Sequence, residues 1–416
     1  MSDAVDQIKL GNLITELPKS LLPASAAEVG GHYNFFCSSA EVRTINLWLQ
    51  EKSAIIMGTG GVASVNYGHG KYAYSTDTWC FRSQREDVQT RFLFRKIQQL
   101  LPKIEYIGFE GSGLKHLRKG VVKSLLIDVP KKNVQNKIIE ILDAVDDSIS
   151  ATESLIAKYQ KIKAGLMHDL FTRGVTADGK LRPPREQDPE LYYETAVGWI
   201  PVEWEFDSIS SIMESLIDGP FGSNLKTEHY VIDPGIRVVR LQNIQATSYN
   251  DNDRAYVSGS HAAFLYRNKV LSGDILIAGL GEDRYPVGRA CLYPENLPPA
   301  INKADCFRLR CKVDEAENPF VMLYLNTEPA RVQIRKYEQG VTRPRINSSN
   351  FKKLIIPKPS VEEQKMITDK IMKVADKIQV EKKRNQKLIM EKSGLMHDLL
   401  TGKVPVKIDE FDQEPA

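Results

Sequence analysis

Two sets of polar side chains carried on loops are the residues of this sequence most able to do chemistry. The earlier set is Thr59, Asn66, Tyr67, Lys71, Tyr72, Lys115, His116 and Arg118; the later is Arg240, Asn243, Arg284, Tyr285, Arg289, Lys303, Arg343, Arg345 and Asn347. Arginine can clamp guanine bidentately and asparagine can do the same with adenine, each such pair being worth roughly 1 to 3 kcal/mol of discrimination. Lysine more often neutralises phosphate. The chemistry on offer is recognition of duplex DNA, although each residue taken singly reads as an ordinary solvated side chain.

Catalytic signatures fail on inspection. Gly174-Val175-Thr176-Ala177-Asp178-Gly179-Lys180 matches most of a phosphate-binding loop, but Leu181 stands where Ser or Thr would hold magnesium, and the stretch follows a helix rather than a strand. Asn296-Leu297-Pro298-Pro299 lacks the aromatic residue of the Asn-Pro-Pro-aromatic motif of adenine methyltransferases, and Gly279-Leu280-Gly281 lacks the third glycine of a dinucleotide fingerprint. These read as turns. His168-Asp169 and His397-Asp398 have no second histidine four residues away to build a zinc face, so they read as a contact surface, between helices or toward a partner protein.

The elements that must position the polar sets come from a duplication. Residues 111–175 lie over residues 340–404 without a gap at a constant offset of 229, with 20 of 65 positions identical, ending in the shared hexapeptide Gly-Leu-Met-His-Asp-Leu at 165–170 and 394–399. A period this long means two domain-sized halves. Each copy contains a long helix with a coiled-coil seam of alternating spacings of four and three. The first seam is Ile138, Leu142, Val145, Ile149, Thr152, Ile156, Tyr159, Lys163, Leu166 and Leu170. The second is Ile367, Ile371, Val374, Ile378, Glu381, Asn385, Leu388, Lys392, Leu395 and Leu399. With His168 and His397 these apolar positions form the expected packing set. Lys163 and Lys392 occupy equivalent places, where they either fix the register of the seam at a cost in stability or, the preferred reading, lay their stems along it with the ammonium in water. At 1.5 Å per residue each helix is a rod of roughly 55 to 60 Å.

Ser360-Val361-Glu362-Glu363 is a capping-box start for the second rod. Lys131 replaces the serine in the first copy, which makes Asn133 the expected cap there. Before the rods, β-prone runs at 53–57 and 76–82 are comparable with runs at 236–241, 274–278 and 306–311, the stretches 54–60 and 76–82 resemble 275–281 and 302–308, and helical periodicity is sparse. Residues 176–198, with Asp178-Gly179, Pro183-Pro184 and Asp188-Pro189, read as an irregular connector.

The chain has 416 residues, 42% hydrophobic and 26% charged, enough for two cores. A net charge of +3 means that any DNA binding must use local patches. Five cysteines without a C-x-x-C pair argue against a disulfide framework and for a reduced, cytoplasmic protein, and neither export nor membrane insertion is expected.

Two divergent modules on two antiparallel rods with a pseudo-twofold relation would each read a different half-site of one duplex, leaving the bases between unread. The chain resembles, over essentially its whole length, the specificity subunit of a type I restriction-modification enzyme. The likeness rests on Pro359-Ser360-Val361-Glu362-Glu363-Gln364 and its counterpart at 130–135 leading into the rods, on Gly198-Trp199-Ile200-Pro201-Val202-Glu203-Trp204, and on Arg343-Pro344-Arg345-Ile346-Asn347. The resemblance implies an α+β fold with two target-recognition domains joined by two long antiparallel coiled-coil helices. The expected spans are 1–130 and 198–359 for the domains, 131–175 and 360–402 for the helices, 176–197 for a linker and 403–416 for a tail. It also implies double-stranded DNA as target, two modification subunits and restriction subunits as partners, and no cofactor on this chain, with S-adenosylmethionine, ATP and magnesium on the partners. A coiled-coil scaffold that binds only proteins is the rival reading. The opening motif at 198 has no counterpart in the first half, which leaves the arrangement of its first elements open.

Overall fold

The computed structural model describes residues 6–232, 234–282 and 285–408. The chain forms two compact units, residues 1–155 with 381–416, and residues 156–380. Each unit therefore holds one sheet-based module and half of each long helix.

In the first unit a four-stranded antiparallel sheet runs in the order Ile14–Glu16, Thr78–Ser83, Ala54–Gly58, Val65–Gly68. Every residue of Ala54–Gly58 is buried, so the strand reads as a continuous apolar run rather than an alternating one. Tyr33–Phe36 pairs antiparallel with Val42–Ile45 and parallel with Tyr72–Tyr74. Strand Asp6–Lys9 pairs with Leu126–Val129, which delivers the chain to the first rod, Lys132–Thr172.

The second unit repeats this plan. Its four-stranded sheet runs Met213–Ile217, Cys306–Cys311, Ile275–Ala278, Ala290–Leu292, and Ile236–Val239 lies parallel to Ala300–Asn302. Glu205–Ser208 pairs with Ile355–Lys358, the strand that precedes the second rod, Val361–Leu400. The first elements of the two modules therefore correspond after all. What the first lacks is the extra hairpin Tyr192–Thr195 with Gly198–Pro201.

The α+β class and the antiparallel helices are as expected. In the first unit Ile138 and Leu142 share a core with Leu399 and Leu400, while Lys392 meets Asp146 and Asn385 meets Glu153, so one helix advances as the other retreats. In the second unit Leu170 and Phe171 share a core with Ile367 and Ile371. Every seam position named above is buried or half-buried.

Several local expectations are corrected. Helix content before the rods is larger than the periodicity suggests: Thr90–Gly108 in the first unit, Asn318–Leu325 and Glu328–Tyr337 in the second. The middle one has no polar face to display a period, because all of Phe320 to Leu325 is buried. The first rod starts at Lys132, one residue before its expected cap, with the Lys131 carbonyl already accepting from the Gln135 amide. Ser360 does cap the second rod through the Glu363 amide at 3.2 Å, but the Glu363 carboxylate does not return to Ser360. It accepts instead from the Val175 amide, the Trp204 indole and the Arg182 guanidinium, at 2.8, 3.0 and 2.5 Å. The connector is irregular as expected up to its hairpin, but it is anchored to the core: Arg182 and Tyr192 are buried, and Val175 and Leu181 bridge across a turn at Gly179. A phosphate has no place there. Lys392 does not end in water either, since its ammonium pairs with Asp146 at 2.6 Å, and Lys163 donates to Thr247 Oγ1 at 3.1 Å.

Candidate nucleic-acid interface

In both modules the turn after the buried central strand is tied by backbone hydrogen bonds to the basic loop that precedes a short helix. In the first, Gly61 N–H donates to Lys115 O and Leu117 N–H to Thr59 O, each at 2.9 Å. In the second, Gly281 N–H donates to Pro344 O and Ile346 N–H to Gly279 O, also at 2.9 Å. The sequence predicts this equivalence, since Lys115 and Pro344, and Leu117 and Ile346, are 229 residues apart. Glycine is needed at the close approaches: a Cβ on Gly281 would run into the Val287 amide, and one on Gly58 into Ser38 and Ser64.

Around the first junction Lys115, His116 and Arg118 are exposed, with Lys115 3.9 Å from Glu105 and Arg118 paired to Glu110 at 2.7 Å. Lys71 is exposed and lies 4.9 Å over the ring of Trp48, itself an exposed aromatic that the sequence reading passed over. Around the second junction Arg343 is exposed with no ion pair among the described residues, and Arg345 is exposed but holds Asp305 at 2.9 Å. Tyr285 is exposed, and Lys303 is half-buried with its ammonium 5.5 Å from the Tyr230 ring. Arg284 lies outside the described residues.

Other candidates are structural. Tyr72 is completely buried, with its hydroxyl donating to Lys52 O, and burial pushes its phenol far above the ordinary range. Tyr67 packs between Phe94 and the Arg91 guanidinium, and Asn66 donates to Ser39 O. Thr59 turns its hydroxyl onto Asp77 O at 2.9 Å. Asn243 is buried and donates to the carbonyls of Asn250 and Asp253, while its own oxygen receives the Arg240 amide. Arg240 in turn is held by Asp253. Asn347 is the N-cap of Ser348–Phe351 through its Oδ1, leaving only its amide N–H groups to point outward.

Arg289 is the most instructive correction. It is buried, and its guanidinium donates to the carbonyls of Ile244, Leu241, Leu280, Tyr285 and Pro286 at 2.7 to 3.3 Å. Burial lowers its pKa, outweighing the opposing pull of neighbouring acidic groups, Glu282 among them. Its role is to staple the 241–245 segment to Leu280, Tyr285 and Pro286. Those two segments wall a cleft of about 330 Å³ into which Gln242, Gln245, Asn250 and Glu282 project. The sequence reading chose Arg240 and Asn243 from this stretch and missed Gln242 between them, because one dimension does not tell which member of a polar run faces out.

The histidines of the repeated hexapeptide are not in the helix packing. His168 and His397 are exposed, and a Cβ on Gly165 or Gly394 would meet nothing. In the second unit His168, Met167, Phe171 and Ala164 form, with Asn326 and Thr327, a mostly apolar cleft of about 270 Å³.

Compared with known proteins, residues 7–163 and 201–390 match the profile of the family described as "Type I restriction modification DNA specificity domain". The "Type I restriction enzyme MjaVIII specificity subunit" of Methanocaldococcus jannaschii is 23% identical over 301 residues, 72% of this chain and 66% of that protein. The "Type I restriction enzyme EcoDI specificity subunit" of Escherichia coli is 21% identical over 381 residues, 88% of this chain and 80% of that protein. The fold is similar to that of the type I restriction-modification S subunit from M. genitalium, with a TM-score of 0.64, 16% identity and 96% of each chain covered.

Proposed function

This chain belongs to the type I restriction-modification DNA specificity family, and from that premise we propose that it is the non-catalytic subunit that reads DNA for such a complex. The observation that carries the reading is one fold present twice, with the same loop junction in each copy and different exposed side chains around it. The first junction offers Lys115, His116 and Arg118, with Lys71 exposed at the other end of the same sheet; the second offers Tyr285, Arg343 and Arg345. Unlike surfaces on like scaffolds suit an asymmetric target in two parts, separated by bases that are not read.

The partners follow the same logic. The hexapeptide is retained letter for letter at two places where its histidine and glycine face solvent, so packing within the chain accounts for its leucines and methionine but not for these two. Two identical patches suit two copies of one partner, the modification subunits. S-adenosylmethionine and adenine methylation belong to those subunits, and ATP and magnesium to the restriction subunits. The five cysteines are free thiols, all buried, which supports a reducing compartment, the cytoplasm.

The test is to assemble the full chain with its modification subunits, map the adenines that the complex methylates and footprint it on that DNA. Two short required tracts with an indifferent gap are expected, and affinity should fall steeply with salt, with a log-log slope near −0.9 per phosphate neutralised. One continuous required tract would overturn the reading, and salt-insensitive association would favour a purely protein-binding scaffold.

A further inference from the structure

Within the second module, the cleft stapled by Arg289 has a donor and acceptor pattern that can be read. Most of its polar groups are already committed: Asn250 Nδ2 and Gln245 Nε2 both donate to the Gln242 carbonyl, and Asn250 Oδ1 receives the Asn252 amide. Beside the Tyr285 hydroxyl and Gln245 Oε1, two larger groups are left. The Gln242 carboxamide and the Glu282 carboxylate are exposed, line the cleft and have no side-chain partner among the described residues.

Their positions are not loose. The Gln242 main chain carries the two amide bonds just named, and Glu282 exchanges both backbone hydrogen bonds with Tyr285 at 2.9 Å. Arg289 then joins the two walls. With the main chain fixed in this way, only the side-chain torsions of the two residues are left to be ordered on binding.

The charge pattern decides the ligand. The Glu282 carboxylate offsets the Arg289 charge that lines the same cleft and repels any acceptor set against it, such as the guanine edge, which shows only N7 and O6 in the major groove. A primary carboxamide accepts from an exocyclic amino group and donates to the adjacent ring nitrogen, the pattern of adenine N6 and N7. Phosphate-seeking groups stand one loop away: the Gly281 bond to Pro344 places the turn that bears Glu282 against the segment of Arg343 and Arg345. Arginines on the backbone beside an amino-seeking cleft on the base edge is the division of labour that sequence reading requires.

Resting on the proposed DNA-reading function, we infer that this cleft is a base-reading site of the second module, in which Gln242 selects adenine and Glu282 excludes guanine. The experiment is selection from a random duplex library by the complex of the full chain with its modification subunits, for wild type, Gln242→Ala, Gln242→Glu and Glu282→Gln. Wild type should give a two-part motif with adenine at one position of one part. Gln242→Ala should remove preference at that position alone, a loss of roughly 5- to 150-fold in discrimination. Gln242→Glu, which can only accept, should replace adenine by cytosine there, and Glu282→Gln should admit guanine. The other part of the motif should not change in any variant. Wild-type motifs from all three variants would overturn the inference while leaving the two-part reading intact. A uniform loss of affinity across all sequences would also overturn it, because that is the behaviour of a phosphate contact or a scaffold residue. Failure of wild type itself to give a two-part motif would instead defeat the proposed function. Both side chains are exposed, so the variants should fold as wild type does, and unchanged thermal unfolding serves as the control.

Discussion

Gln135 and Gln364, 229 residues apart, make the same hydrogen bonds at the start of the two rods. Gln135 donates to the carbonyls of Pro130 and Asp87 and accepts from the Gln89 amide; Gln364 donates to those of Pro359 and Glu315 and accepts from the Glu317 amide. Each glutamine latches the first turn of a rod to the segment that leads into a helix of its own module, and both are buried.

The latch predicts a specific cost. Replacing either glutamine by alanine leaves a buried amide and two carbonyls without their partner, on the order of 2 kcal/mol or more per site. For a unit of this size that is a fall in melting temperature of about 4 to 8 °C. Thermal unfolding of the full chain checks it, and Gln364→Glu should be no better than alanine, because it replaces two donations by a buried charge.

Glu363 predicts a larger and more diagnostic effect. Its carboxylate and the Arg182 guanidinium are 9% and 7% exposed and 2.5 Å apart. Removing one member of a buried pair typically costs about 3 to 5 kcal/mol, because the other charge is left uncompensated, whereas replacing both by apolar groups is often close to neutral. Glu363→Leu alone should therefore destabilise strongly, with only the exposed Glu203 still paired to Arg182 among the described residues, and Glu363→Leu with Arg182→Met should recover part of the loss, because the Val175 amide and the Trp204 indole still lack their acceptor. Denaturant unfolding of the two single variants and the double variant gives the coupling. Additive effects would show that the pair does not act as a unit.

Legibility follows from how local each signal is. The seam of the first rod could be read from Ile138 to Leu170 because spacings of three and four encode a face directly, and Ala54–Gly58 could be read because a buried strand is continuously apolar. Asn318–Leu325 could not, since burial of nearly the whole helix erases its period. Among the site candidates, Lys115, Arg118, Arg343 and Arg345 proved exposed, while Arg289 and Asn243 are fastened to main-chain carbonyls of segments up to 48 residues away. Whether an arginine faces solvent or staples two loops is settled by tertiary contacts, and composition carries no trace of them.

Stability should depend on pH through Asp218. Burial pushes its carboxyl up from 3.8 to about 6, with the neighbouring Asp305 adding to the shift and the amides of Gly219 and Asp305 opposing it. The folded chain therefore keeps this proton to higher pH than the unfolded chain does. Between about 4 and 6 the native state binds more protons, so stability falls as pH rises through that window, and the penalty is complete above it. Asp218→Asn keeps an acceptor for both amides and removes the penalty. It should be more stable than wild type at pH 7.5 by on the order of 1 to 2 kcal/mol, with the gap narrowing by pH 4.5. Melting temperatures at the two pH values decide it, and a gap that does not vary with pH would assign the effect to something other than this proton.

Arg289→Lys separates a stapling role from a phosphate contact. A guanidinium has five N–H donors in a fixed plane, whereas an ammonium has three on a flexible stem, so lysine cannot reach the carbonyls of Leu241, Ile244, Leu280, Tyr285 and Pro286 together. The charge is kept but the two walls come apart. Amide hydrogen exchange should accelerate in residues 241–245 and 280–282, and the assembled complex should lose preference in one part of its target while keeping the other. The salt dependence of binding should stay as it was, because the proposed phosphate contacts come from exposed cations such as Arg343 and Arg345, and Arg289 is buried. If instead the target preference survives and the salt response weakens, Arg289 reaches DNA directly, and the cleft is held by something other than its guanidinium.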